Sequence, residues 1–243
     1  MAILHTKESA LAKTKQRNFF LAAFFYGIAG LVWLWWVNNI LFVHRILSFN
    51  TVVPIFVVFG GAGWLGRHFW RNYRKSASGD KGVERALDVL QRLPDDYEVF
   101  SNVVVMGRYC SIVVVGKNGV FIVQVKNHNG RIAPSGGKDW VQEKTGRGGT
   151  DYASTLRNPV IQLKGQIHAM AQFLKQEGIR VWVDGMVYFT NPDVILCDCS
   201  AEVTDNGNTI LDFITNYTTR HVLRDDEVTR ISTWLQRAGK SLA

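Results

Sequence analysis

The sequence has few cysteines: only Cys110, Cys197 and Cys199 are present. Three thiols make neither a disulfide framework nor a tetrahedral zinc site, and we interpret them as small apolar side chains in a reducing compartment. The six histidines show no metal-binding spacing. The glycine-rich segment 146–149 is not followed by the Lys-Ser/Thr of a phosphate-binding loop. The sequence therefore gives no support to a disulfide-rich, zinc-stabilised or P-loop protein.

Charged residues are absent from two long segments, residues 18–43 and 46–66. A helix of about 20 apolar residues crosses a hydrocarbon core of about 30 Å. Near the end of the first segment, Trp33, Trp35 and Trp36 match the aromatic belt of a membrane interface. These features predict two membrane-spanning helices. Two buried helices of a soluble protein are the alternative.

The predicted transmembrane hairpin covers residues 18–70, with spans at about 19–41 and 50–68. Residues 1–17 form a predicted N-terminal tail. The small residues at 60–63 predict close packing of the second helix against the first. A cleavable signal peptide does not fit, because a second apolar segment follows directly.

Basic residues flank the outer ends of the hairpin, whereas the connector between its helices contains only Arg45. The positive-inside rule therefore predicts that both termini lie in the cytoplasm, and we expect a bacterial inner membrane. The flanking residues are Lys7, Lys13, Lys15 and Arg17 before the hairpin, and Arg67, Arg71, Arg74 and Lys75 after it.

The net charge of +8 is concentrated beside the apolar segments. Residues 1–70 contain six of the 28 Lys and Arg and one of the 20 acidic residues, a net charge of +5. The rest of the chain contains 22 basic and 19 acidic residues, a net charge of +3. The soluble part is thus only mildly basic, and its total charge is weak support for a large electrostatic footprint on nucleic acid.

A short linker at 71–80, with Ser, Ala and Gly at 76–79, is predicted to precede a cytosolic domain at 81–243. The order of elements predicts an α/β fold with a mixed central sheet flanked by helices. The predicted helices are 81–93, 159–177, 209–217 and 225–238, and the predicted strands are 97–106, 110–115, 120–125 and 181–189. The glycine-rich stretch 134–150 is predicted as loops around a strand at Trp140.

The second of two consecutive strands carries polar side chains at Gln124 and Lys126, between apolar neighbours. Side chains two residues apart emerge on one face of a strand. A lysine among apolar neighbours is unusual, and an edge-strand lysine that reaches solvent is the structural alternative to a functional one.

The domain resembles the nuclease-related domain (NERD) family, within the PD-(D/E)xK nuclease-like fold, over about residues 79–190. The order and spacing of several short motifs carry this resemblance, and it implies a restriction-endonuclease-like fold. The motifs are Gly79-Asp80-Lys81-Gly82-Val83-Glu84-Arg85, Leu93-Pro94-Asp95-Asp96-Tyr97, Gly119-Val120-Phe121 to Lys126-Asn127, Gly130, Trp140 and Asn158-Pro159-Val160-Ile161-Gln162.

The resemblance implies an active site at Glu84, Gln124 and Lys126. In such nucleases two carboxylates bind Mg²⁺ or Mn²⁺, and the lysine positions water or offsets charge on the phosphate. Here Ser111 stands where the family carries a metal-binding Asp, and Gln124 where it carries an acid. Glu84 is then the only carboxylate left for the metal, so magnesium binding should be weak. Asp88, one helical turn beyond Glu84, is a candidate substitute.

Two further predictions concern substrate and acids in the loops. By the resemblance, Asn158 and Gln162 are expected to contact substrate. Asp139, Glu143 and Asp151 are further acids that could replace the missing ligand, although each is typical of a solvated surface.

Three functions remain open at this point. The first is a degenerate nuclease-fold module that binds nucleic acid or a protein partner at the membrane. The second is an active nuclease that depends on a divalent metal, and the third is a membrane scaffold, for example a homo-oligomer. Eight basic residues are expected near the site, where they could contact phosphates: Arg108, Lys117, Arg131, Lys138, Lys144, Arg147, Arg157 and Lys164.

Overall fold

A computed structural model describes residues 1–6, 10–41, 49–146, 148–219 and 221–238. The predictions made for Lys7, Arg45 and Arg147 lie outside these residues. The chain divides into two compact units. One unit is Ala10–Ser78, and the other combines Met1–Ser9 with Gly79–Ala243.

The unit Ala10–Ser78 contains helix α1 (Ala10–Leu41) and the first part of helix α2 (Phe49–Leu90). The two helices run antiparallel, because the sequence positions of contacting aromatic rings rise along one helix as they fall along the other. The contacting pairs are Phe19 with Tyr73, Phe25 with Phe69, and Trp36 with Phe56, at ring distances of 5.5, 5.7 and 6.2 Å.

Both helices are long and apolar enough to cross a membrane, over Lys13–Leu41 and Val52–Leu90. Only 11% of the apolar window in each helix is buried. Large side chains such as Leu31 and Trp64 are 69% and 64% exposed. This exposure disagrees with the alternative of two buried helices in a soluble core.

The expected packing role of the small residues at 60–63 is only partly correct. Ala62 is buried, but a Cβ at Gly60 would have no neighbour within 4 Å, and the same holds for Gly61 and Gly63. The close approach occurs instead at Gly66, where a Cβ would lie 3.0 Å from the ring of Tyr26. Glycine is therefore needed at position 66, where the ring of Tyr26 on the other helix comes close.

The predicted linker is helical, since α2 passes through residues 76–79 without interruption. Serine and glycine lower helix propensity by at most about 1 kcal/mol each, which flanking helical turns can offset. The unit boundary nevertheless falls at Ser78, inside the predicted linker.

The second unit is built around a six-stranded mixed sheet in the order β1-β2-β3-β4-β8-β10. Strands β2, β3 and β4 are antiparallel neighbours, and β8 is parallel to both β4 and β10. Helices cover both faces, so the predicted fold class is confirmed. The bounds are β1 Ile3–His5, β2 Glu98–Val105, β3 Arg108–Gly116, β4 Gly119–Lys126, β8 Val183–Phe189, β10 Val203–Thr204, α3 Pro159–Gln176, α4 Gly207–Thr215 and α5 Asp225–Ala238.

Two buried clusters show which helix covers which face of the sheet. Helices α2 and α4 pack on one face, on a cluster that contains Ala86, Leu90, Ile112, Val114, Phe121, Val123 and Ile210. Helices α3 and α5 pack on the other face, on a cluster that contains Val113, Val115, Ile122, Leu163, Met170, Ile231 and Leu235. Because side chains alternate along a strand, consecutive residues within β3, and likewise within β4, belong to opposite clusters.

The start of the predicted N-terminal tail is a strand. Ile3 and His5 in β1 pair in parallel with Glu98 and Phe100 in β2. His5 Nε2 lies 2.8 Å from a carboxylate oxygen of Glu98, and its ring stacks on Phe100 at 4.7 Å. A three-residue strand has too few alternating positions to be recognised from its sequence.

A second sheet has the order β7-β6-β5-β9, and the predicted loops on either side of the Trp140 strand connect three of its strands. Only β6 was predicted, as the strand at Trp140. Strand β7 is exposed at all but Leu156, so its sequence has no alternation of apolar and polar residues. The bounds are β5 Gly130–Pro134, β6 Asp139–Thr145, β7 Asp151–Arg157 and β9 Val194–Leu196.

Candidate functional site

Strand β4 presents Gln124 and Lys126 to the same helix, α3. Lys126 Nζ donates a hydrogen bond to Gln162 Oε1 at 2.8 Å, and Gln124 Oε1 accepts one from Gln166 Nε2 at 2.5 Å. The two glutamines of α3 are four residues apart, so they lie on one helix face. Two polar side chains of the strand therefore face two polar side chains of the helix.

Lys126 is half-buried, and its side-chain partner among the described residues is an uncharged amide. Among the described residues, no carboxylate lies within salt-bridge distance of its ammonium group. Burial lowers the pKa of Lys126, and the nearby positive charge of Arg157 lowers it further. The folded protein therefore holds this cation at a free-energy cost, without a counter-ion of its own.

Further basic side chains lie near Lys126. His128 is half-buried, and its pKa is lowered first by burial and then by the positive charges of Lys126 and Lys144. A hydrogen bond with Gln142 acts in the opposite direction. Arg157 lies opposite Asp139 in the β6–β7 ladder, although the two side chains form no ion pair in the part of the chain described. We call this cluster of basic side chains the Lys126 site.

Gln166 holds the side chain of Gln124, next to the Lys126 site. Its Nε2 donates both to Gln124 Oε1 and to the backbone carbonyl of Tyr109, at 2.5 and 2.6 Å. Gln124 and Gln166 are each 6% exposed. The Oε1 atom of Gln166 is buried without a hydrogen-bond partner among the described residues. The amide of Gln124 is thus held by the protein itself rather than left open for a ligand.

Ser111 is 3% exposed and lies beside Gln124. The β3–β4 ladder ends at the pair Ile112–Val123, and one further step along each strand reaches Ser111 and Gln124. The register therefore brings together the two strand positions where the resemblance implies metal-binding acids. Both carry neutral side chains here.

The structure does not bring Glu84 to Gln124 or Lys126. Helix α2 covers the opposite face of the sheet, and Glu84 and Asp88 are both exposed on it. The close contact of α2 with the end of β4 is made by its neighbours. A Cβ on Gly82 would lie 2.8 Å from Asn127 Cβ.

A magnesium or manganese site of the nuclease type does not fit these donors. A buried serine hydroxyl and an amide already bonded to Gln166 are poor ligands for a hard divalent cation. Within the described residues, no group of three or more His, Cys, Asp and Glu is arranged to hold a metal ion. We therefore derive no step through a metal.

Asn158 and Gln162 have different roles. The Oδ1 atom of Asn158 accepts hydrogen bonds from the backbone N–H groups of Val160 and Ile161 at 2.9 and 3.2 Å. Asn158 is thus the N-cap of α3, which is a structural role. Gln162 is bonded to Lys126, and a contact of either residue with substrate stays a prediction.

The eight basic residues expected near the site separate into groups. The positive charge of Arg157 lowers the pKa of Lys126, and that of Lys144 lowers the pKa of His128. The guanidinium group of Arg108 lies against α3 at Gly165. Three others are ion-paired elsewhere: Lys117 with Asp225 at 2.8 Å, Lys164 with Glu202 at 3.4 Å, and Arg131 with Glu143 at 4.0 Å. Lys138 has no ion pair among the described residues, and Arg147 lies outside them.

Sequence reasoning missed Gln166. A signal was present, because a glutamine at this position interrupts the buried apolar stripe of α3, one turn after Gln162. Its partner could not be inferred, since Tyr109 is 57 residues away in the sequence.

Residues 78–190 match the family model described as "Nuclease-related domain" (NERD). The match begins in α2 and ends directly after β8, so it includes Ser111, Gln124, Lys126, Asn158 and Gln162. No curated protein and no solved structure matches the chain significantly.

Proposed function

We propose that this chain, whose residues 78–190 match the nuclease-related domain model, is a membrane-anchored, non-catalytic module that binds the phosphate backbone of nucleic acid. The observation that carries the proposal is the environment of Lys126. A half-buried ammonium group beside Arg157, with only an amide partner, is a binding site for an anion.

An anion at this point would satisfy charges that the protein leaves uncompensated. A phosphate next to Lys126 would offset the positive charges of Arg157 and Lys144, and it would favour the charged form of His128. Backbone phosphates supply this charge whatever the base sequence, so we expect binding without sequence preference.

The loss of catalysis is proposed from the same residues. Hydrolysis of a phosphodiester by this nuclease type needs a metal held by carboxylates. Ser111 and Gln124 offer none, and Gln166 already occupies the amide of Gln124. What such a site retains is the lysine that faces the phosphate.

The membrane anchor is proposed from the two apolar helices. Their exposed side chains would be costly in water but not in a bilayer. An anchored domain samples only nucleic acid close to the bilayer, which suits a role in capture rather than in turnover.

The test is a binding titration with the full chain in detergent micelles. Labelled duplex DNA, its single strand and the RNA of the same sequence are titrated by fluorescence polarisation over a range of salt concentrations. We expect binding that weakens as salt rises. We also expect Lys126→Met and Arg157→Ala to weaken it, whereas Arg230→Ala on α5 serves as the matched control for loss of one charge.

A cleavage assay on the same proteins, with Mg²⁺ and Mn²⁺, separates the alternatives. Metal-dependent cleavage that disappears in Lys126→Met would overturn the non-catalytic proposal in favour of an active nuclease. If nucleic acid is neither bound nor cleaved, the proposal fails and the scaffold alternative gains support.

A further inference from the structure

A recess lies at the C-terminal end of α3, away from Gln162. It has a volume of about 720 Å³, within the range of about 300–1,000 Å³ that is typical of small-molecule sites. The last turns of α3, the residues before β8 and the segment after α4 form its walls. Its lining residues are Ala171, Lys175, Ile179, Arg180, Val181, Trp182, Tyr217, Thr218, Thr219 and His221.

This recess is separate from the site at Lys126. Trp182 precedes β8 beside Val120 at the start of β4, whereas Lys126 lies at the end of β4. Six residues of extended strand at about 3.3 Å each place the two about 20 Å apart. The 13 residues of α3 between Gln162 and Lys175, at about 1.5 Å each, give the same separation.

Its lining combines exposed aromatic surface with positive charge. Trp182 is 60% exposed, so this large aromatic side chain is not part of the core. Lys175 and Arg180 are exposed at the rim, and His221 adds a third basic side chain. None of the described lining residues is Asp or Glu.

The aromatic part of the recess is held in place from behind. The ring of Tyr217 packs edge-on against Phe121 and Phe213 at 5.2 and 5.7 Å, and its hydroxyl donates to Asp184 Oδ2 at 3.2 Å. The Trp182 side chain lies close to the Tyr217 hydroxyl. The exposed indole is thus next to a tyrosine that its own contacts hold in place.

We propose that this recess binds one nucleotide unit, with the base stacked on Trp182 and the phosphate held by Lys175 and Arg180. Stacking on an aromatic side chain tolerates every base, and the two cations supply the charge that a phosphate requires. The nucleotide has two sources, a free nucleoside monophosphate or one unit of a single strand. The inference is independent of the function proposed for the Lys126 site.

The experiment is a titration of the full chain in detergent micelles, followed by tryptophan fluorescence. The probes are AMP, CMP, GMP and UMP, a short oligothymidylate, and inorganic phosphate as the control without a base. We expect the nucleotides or the oligothymidylate to quench the signal, and phosphate at the same concentration not to do so. Subtraction of the Trp182→Phe titration isolates the contribution of Trp182.

Two variants test the two parts of the recess separately. Trp182→Ala is expected to weaken binding at least tenfold, measured by equilibrium dialysis. The double variant Lys175→Ala/Arg180→Ala, which changes only exposed side chains, is expected to weaken it several-fold and to reduce its salt dependence. Lys138→Ala, which removes an exposed lysine outside the recess, should leave nucleotide binding unchanged.

The probes also separate the two sources. Binding of monophosphates that matches or exceeds that of the oligothymidylate supports a free nucleotide. Binding of the oligothymidylate alone, weakened by Trp182→Ala, supports a strand. The proposal is overturned if no probe binds, or if binding is unchanged in both Trp182→Ala and the double variant. The thermal midpoint of each variant shows whether that variant is folded.

Discussion

Lys126 Nζ donates to Gln162 Oε1 at 2.8 Å, so a cation that the fold half-buries is matched only with a neutral amide. Proteins seldom hold a charge in this way unless a ligand completes the site. This pair distinguishes the proposed phosphate site from an ordinary surface lysine. It also allows function and stability to be separated by experiment.

Lys126→Met is expected to stabilise the fold while it weakens nucleic-acid binding. The pKa of Lys126 is lowered, which means that the folded state disfavours the charged form and that methionine removes this cost. We expect a gain on the order of 1 kcal/mol, and a thermal midpoint higher by about 2–4 °C. Binding should fall by about tenfold. A variant that loses both stability and binding would show that Lys126 is structural.

Binding should strengthen as the pH falls from 7 to 5. The pKa of His128 is lowered by burial and by Lys126 and Lys144, so the imidazole is neutral at pH 7 and gains a proton only below its ordinary value of about 6.5. Bound phosphate would favour that proton, so acid should increase affinity. The same lowered pKa means that acid costs fold stability. His128→Gln should flatten the affinity profile, and a wild-type profile without slope would contradict the prediction.

Metal binding should be created by restoring the two strand carboxylates. Ser111 and Gln124 are buried side by side, so Ser111→Asp/Gln124→Glu places two acids at one point of the sheet. We expect destabilisation by about 2–4 kcal/mol without metal, because like charges are buried together. Mn²⁺ should restore part of the lost stability. Calorimetry should show that it binds the double variant more tightly than it binds the wild type. Equal affinity in wild type would show that other residues hold the metal.

Gly82→Ala tests the contact between α2 and the end of β4. Alanine gains about 1 kcal/mol of helix propensity, but its Cβ would lie 2.8 Å from Asn127 Cβ, which is too close to a rigid backbone to be relieved cheaply. We expect a net loss of about 1–3 kcal/mol in the free energy of unfolding. Gly60→Ala on the same helix, where nothing lies within 4 Å, is the control. Equal effects of the two substitutions would rule out a steric cause.

The parts of the fold that the sequence predicted depend on local periodicity. The alternation around Gln124 and Lys126 specified a strand and its faces without knowledge of any partner. The helical spacing at 159–177 and 225–238 agrees closely with α3 and α5. Periodicity arises from residues a few positions apart, so one sequence is enough to detect it.

The rest depends on distant partners. The pairing of β1 with β2 joins residues more than 90 positions apart, and Gln166 meets the carbonyl of Tyr109 across 57. Trp182 and Tyr217 form one recess only because β8 and the end of α4 meet in space. No periodic pattern records such pairings. The neutral character of Ser111 and Gln124 was visible in the sequence, but the way in which Gln166 occupies Gln124 was not.

The predicted topology of the hairpin can be tested by labelling of introduced cysteines. Residues Ile3–His5 belong to the same compact unit as the chain after Gly79. The positive-inside rule predicts that both termini lie in the cytoplasm, and the connector with Arg45 is then predicted to lie on the other side of the membrane. We expect an impermeant maleimide to label Arg45→Cys from outside intact cells. A cysteine inserted directly after Met1, in a background without the three native cysteines, should be labelled only after the membrane is opened. Labelling of both positions from the same side would contradict the membrane hairpin.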